Sequence, residues 1–71
     1  MMYNYLVILE KTGTGYSAHV PDLPGCITVG ETKEETMKHM QKAIQLHIEG
    51  MKEDGLDIPE SNTEALRVSV Q

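Results

Sequence analysis

The chain has 71 residues and a formal charge of −5, from 11 acidic and 6 basic side chains, so it reads as a single small domain over 1–71 without the concentrated cationic surface that binding a nucleic-acid backbone requires. Hydrophobic residues make up 39%, with no Trp or Phe, three Tyr and five Met, so the core must be aliphatic, and a chain this short buries only about 60% of its unfolded surface. A lone cysteine, Cys26, excludes an internal disulfide, and the longest apolar run, Leu6 to Leu9, is too short for a bilayer span or a signal sequence; a cytoplasmic protein with no membrane partner is expected.

Tyr3 to Glu10 (YNYLVILE) is rich in aromatic and β-branched residues and predicts a first strand. Lys11 to Gly15 (KTGTG) has glycines expected to supply φ > 0 for a hairpin turn. Tyr16 to Val20 then alternates Tyr16, Ala18 and Val20 against Ser17 and His19, a half-buried second strand. Pro21 and Pro24 remove two backbone donors and fix two φ angles, so the segment Pro21 to Cys26 is a rigid turn. Ile27 to Val29 makes a short third strand that Gly30 ends.

Thr32 followed by Glu35 fits a capping box, which predicts a helix starting at Lys33. Met37, Met40, Ile44, Ile48 and Met51 recur at spacings of three and four, drawing one apolar stripe. Gly55 is placed to end the helix in a left-handed cap, and Pro59 prevents its resumption. Leu66, Val68 and Val70 alternate with Arg67 and Ser69, which predicts a fourth strand. The expected architecture is α+β, β-β-β-α-β, an antiparallel-rich four-stranded sheet with one helix on one face.

This arrangement leaves apolar surface over. In the first strand Tyr3, Tyr5, Val7 and Leu9 point one way and Met2, Leu6 and Ile8 the other, whereas one helix covers one face. Leu46 lies about half a turn from the apolar stripe of the helix. Uncovered apolar surface on both elements suggests association, with Tyr3, Tyr5 and Val7 as the expected oligomer interface of a homodimer or larger homo-oligomer.

Catalytic and metal chemistry finds little support. His39 and His47 are eight residues apart and no zinc-type spacing is present. Cys26 follows Pro24-Gly25 without a recognisable base pattern, so a small buried side chain is the expected reading. Glu31, Glu34 and Glu35 fall where they favour the helix dipole. No cofactor, metal or catalytic residue is assigned.

The segment from Tyr3 to about Ser61 resembles the N-terminal domain of the HicB-type antitoxin family. The likeness is carried by Gly15-Tyr16, Pro21-Asp22-Leu23-Pro24-Gly25-Cys26, Gly30-Glu31-Thr32 with Glu35, and Glu53-Asp54-Gly55 followed by Ile58-Pro59. The resemblance implies a partial ribonuclease-H-like fold and a non-enzymatic antitoxin that blocks the active site of a small basic HicA-like toxin, a ribonuclease that cleaves mRNA. Asp22, Leu23, Pro24 and Leu46 are the expected partner contacts. Many HicB-like proteins carry a C-terminal DNA-binding domain. The chain ends just after the expected fourth strand, so neither that domain nor direct DNA binding is expected. Two other functions remain open: a stand-alone regulatory or ligand-binding module, and a metal-dependent nuclease. The apolar interiors of the first and fourth strands, without carboxylates to hold two metals, weigh against the nuclease.

Overall fold

The computed structural model describes residues 3–71, so the expectation for Met2 lies outside the described residues. Three strands, β1 (Ile8–Lys11), β2 (Tyr16–His19) and β3 (Ile27–Gly30), precede one helix, α1 (Lys33–Glu53). The strands form an antiparallel sheet in the order β1-β2-β3. The α+β architecture stands, with three strands hydrogen-bonded among the described residues in place of the expected four.

Pairing explains why β1 is shorter than its composition suggests. Ile8 faces His19 at the last rung, and beyond it β2 enters the turn at Pro21, so Tyr3 to Val7 have no neighbouring strand to bond. The turn closes on itself instead. Val20 donates to the Cys26 carbonyl, Leu23 to that of Val20, and Cys26 to that of Leu23. These bonds turn Leu23 inward, where it is 1% exposed, beside Ala18, Val20, Cys26 and Met40. Tyr5, Val7 and Leu9 pack against this cluster from β1 and its approach, and Ala43, Ile44 and Met51 do so from α1.

Local capping sets both ends of α1. The Thr32 hydroxyl accepts from the Glu35 amide at 3.1 Å, while the Glu35 carboxylate accepts from the Glu31 amide at 3.4 Å, one residue further back than a capping box requires. At the other end Gly55, at φ 68°, donates to Lys52, and Leu56 donates to Met51. This is a Schellman pair, and its left-handed residue suits glycine.

The helix begins so close to β3 that Gly30 has no room for a side chain. A Cβ there would lie 2.8 Å from the Thr36 amide nitrogen and 3.0 Å from its Cα, and Thr36 is itself buried, its hydroxyl donating to the Thr32 carbonyl at 2.7 Å. Gly30→Ala must push α1 off the sheet. It should destabilise the domain by about 1–3 kcal/mol, seen as a lower urea midpoint.

The expected fourth strand is a correction. Leu66 to Val70 carries no strand structure, and Leu66, Val68 and Val70 are 86%, 81% and 88% exposed. Alternation marks a segment suited to a sheet, but a strand exists only where another backbone edge meets it.

Candidate partner-binding surface

The register places Leu9 and Ala18 on the helix-covered face of the sheet, and Ile8, His19, Ile27 and Val29 on the other. Ile27 and Val29 are 66% and 64% exposed, so the surplus apolar surface expected from the sequence exists, chiefly on β3. Of the residues expected at an oligomer interface, Tyr5 and Val7 face their own helix and are half-buried there. Tyr3 is at the edge, open to solvent.

Tyr3 and Tyr5 are two residues apart on one side of the chain. Their rings stack with centroids 6.5 Å apart and planes 9° from parallel. The Lys52 ammonium lies 5.5 Å from the Tyr3 ring centroid, within cation–π range. Two grooves flank this pair. One runs between the tyrosines and the segment after α1, lined by Leu56, Asp57, Ile58, Pro59 and Glu60. The other runs along α1 past Met37, Gln41 and Ile44. The result is an aromatic platform with exposed Leu56 and Met37 beside it and two carboxylates on its rim. Rigid, amphipathic tyrosines are favoured anchors in protein interfaces.

The Tyr5 hydroxyl donates to the Pro59 carbonyl. Burial, then the neighbouring phenol of Tyr3 and the carboxylate of Asp22, push the Tyr5 pKa above its ordinary value. The stability linked to this shift is complete below the unfolded tyrosine pKa, about 10, and is lost as pH rises through the higher folded value. Tyr5→Phe should cost about 0.5–1.5 kcal/mol at neutral pH and remove that alkaline loss; thermal melts of both proteins from neutral to strongly alkaline pH check this.

Asp22 serves the same segment. Its carboxylate accepts from the Thr63 hydroxyl at 2.8 Å and the Thr63 amide at 3.3 Å. Of the expected partner contacts, Asp22 is therefore engaged within its own chain, and Leu23 lies in the core with no side-chain surface to offer. Pro24 is exposed at the turn, and Leu46 is 61% exposed on α1. Sequence reasoning missed Met37, Leu56, Asp57 and Glu60 as neighbours of the tyrosines. Met37 belongs to the apolar stripe of α1 and is nevertheless exposed at its start, and nothing local points to the rest.

Burial pushes the Cys26 thiol pKa up, away from the thiolate a nucleophile needs, and its Sγ sits 3.9 Å from the Met40 sulfur. His39 Nδ1 lies 2.8 Å from the Val29 carbonyl oxygen, a contact that places the proton on Nδ1. Among the described residues no three His, Cys, Asp or Glu side chains gather as a metal site, and no helix is long and apolar enough to cross a membrane.

A UPF0150 protein of Thermoplasma acidophilum is 42% identical over 65 residues, covering 90% of this chain and 94% of the relative. An uncharacterised 14.9 kDa protein of Haemophilus phage HP1 is 47% identical over 58 residues, covering 82% of this chain and 44% of the phage protein. Antitoxin HicB 2 of Photorhabdus laumondii is 34% identical over 59 residues, 83% of this chain and 42% of that protein. The chain thus spans under half the length of these last two relatives. Among solved structures, a chain of a HicA3 and HicB3 toxin–antitoxin complex superposes with a TM-score of 0.72 at 28% identity, covering 84% of this chain and 70% of that one. The model of the HicB-like antitoxin of bacterial toxin–antitoxin systems matches residues 5–69, and with nearly the whole chain inside that match, the protein belongs to the HicB-like antitoxin family.

Proposed function

We propose that this protein is a non-enzymatic, cytoplasmic antitoxin that neutralises a small basic HicA-type ribonuclease by covering its active site. The observation that carries the reading is the structural likeness to a chain of a HicA3 and HicB3 toxin–antitoxin complex, together with membership of the family. The site adds a physical route. A net charge of −5 steers a basic partner toward an acidic one and speeds their encounter. Asp57 and Glu60, on the rim of the tyrosine platform, then compete with RNA phosphates for the toxin's cationic groups. Tyr3, Leu56 and Met37 supply apolar contact that slows release. Pro24 and Leu46 are outlying contacts, and Leu23 contributes by holding the turn rigid from within.

A partial ribonuclease-H-like order would be completed if Leu66 to Val70 gained a strand partner. The direct test of function is RNA cleavage by a HicA-type ribonuclease encoded beside this protein, measured with rising amounts of the antitoxin. Cleavage should fall to background near one equivalent. Cleavage unchanged by excess protein would remove the proposal.

A further inference from the structure

Half of the basic side chains meet in one place. Of the six Lys and Arg residues in a chain of charge −5, Lys11, Lys33 and Arg67 line a single groove of about 540 Å³ beside β1, and no carboxylate lines it. They reach it from three separate segments. Lys11 ends β1 opposite Tyr16, on the helix-covered face. Lys33 is the first residue of α1, and its ammonium lies 6.0 Å from the Tyr16 ring centroid. Arg67 arrives on the segment after α1, which the two hydrogen bonds from Thr63 to Asp22 fix four residues earlier. Like charges gathered without a carboxylate among them repel one another, and a bound anion relieves that repulsion. Leu6, Val7 and Leu9, half-buried, give the same groove an apolar floor.

We propose that this groove binds a small phosphate-bearing molecule of the nucleoside diphosphate class, with its phosphates among Lys11, Lys33 and Arg67 and its organic part over Leu6, Val7 and Leu9. The Arg67 guanidinium offers a planar fork that matches two phosphate oxygens, and two ammonium groups from other segments complete the neutralisation of a multiply charged anion. The size of the groove suits a small molecule, and apolar walls with a few convergent polar groups are the usual lining of such sites. The surroundings select a small anion over a polymer. Glu31 and Glu35 line the neighbouring groove, which Tyr16 also borders, and Glu10 stands on the opposite face of the sheet. An RNA strand or an acidic peptide leaving the cationic groove would run onto these carboxylates, whereas a diphosphate stays among the three cations. The site shares only Val7 with the grooves of the tyrosine platform, so it stands apart from the toxin contact proposed there.

The test is made on the full chain by following its amide resonances as ADP, pyrophosphate or adenosine is added. ADP should give saturable shifts at Leu6 to Lys11, Tyr16, Lys33 and Ala65 to Arg67. Pyrophosphate should shift the same amides with weaker affinity, and adenosine should shift none of them. Lys33→Gln and Arg67→Gln should each weaken ADP binding about tenfold with the helical circular dichroism retained. Lys33→Arg should preserve it, and Lys38→Gln, which lies outside the groove, should leave it unchanged. Shifts that sodium chloride reproduces at equal ionic strength, or an effect of Lys38→Gln as large as that of Lys33→Gln, would overturn the site. Adenosine shifts equal to those of ADP would overturn the role of the cations, and pyrophosphate as tight as ADP would overturn that of the apolar floor. A short RNA or a glutamate-rich peptide that binds the groove more tightly than ADP would overturn the choice of a small ligand.

Discussion

Leu23→Ala should cost about 2–5 kcal/mol of stability, the range for truncating a fully buried leucine, whereas Leu46→Ala should change it by less than about 0.5 kcal/mol. The two leucines differ in burial: Leu23 is 1% exposed and Leu46 is 61% exposed. The consequence for Leu23 is severe because total stability is small. At about 0.05–0.15 kcal/mol per residue, a chain of 71 residues has roughly 4–11 kcal/mol to lose. Leu23 also closes the turn around which Val20, Cys26 and Met40 assemble, so the cavity would open at the centre of the core. Urea unfolding followed by circular dichroism measures this. A lower midpoint with an unchanged slope is expected for Leu23→Ala, and equal effects for the two variants would contradict the packing described.

Tyr3→Ala should weaken binding to a HicA-type partner by about 2 kcal/mol, or roughly 30-fold. Tyr3 is the outer member of the stacked pair and sits between the two grooves, the central and apolar position where interface energy concentrates. The loss should appear in the dissociation rate. Neutralising Asp57 and Glu60 together should instead slow association and flatten its salt dependence, because rim charges act on encounter. Surface-captured toxin and a series of antitoxin concentrations at two salt strengths separate these effects. A Tyr3→Ala variant that binds as tightly as the parent would move the interface elsewhere, with Pro24 and Leu46 the next surfaces to vary.

Features set by a few adjacent residues were legible in the sequence. The Thr32 cap, the stop at Gly55 and the inward alternation of Ala18 and Val20 each depend on local geometry, and each stands where the residues indicated. The hairpin glycines stand for another reason than expected: neither Gly13 nor Gly15 takes a positive φ, and Gly15 is needed because a Cβ there would collide with the Gly30 carbonyl oxygen. Pairing was less legible. Tyr3 to Val7 have strand composition, but β2 ends at His19, so they have no partner. Leu66 to Val70 alternates cleanly and likewise lacks a bonded neighbour.

Tertiary tethers were invisible. Asp22 looked like a free contact in a rigid turn, and its carboxylate is taken by Thr63, 41 residues away. The half-buried placement of Tyr5 and Val7 follows from their packing against the core cluster beneath the helix, which residue type alone does not specify. The platform combines two tyrosines at strand spacing, readable in sequence, with Leu56 to Glu60, which a distant hydrogen bond from Tyr5 to Pro59 brings beside them.

The central claim, that this surface is the one an antitoxin lays against its toxin, is tested most directly by amide hydrogen exchange of the protein alone and with a HicA-type ribonuclease. Binding through the platform predicts slower exchange at Tyr3 to Val7 and Leu56 to Ser61, with the exposed face of β3 left unchanged. Protection confined to β3 or to the Leu46 side of α1, with the tyrosine segment exchanging as before, would contradict it.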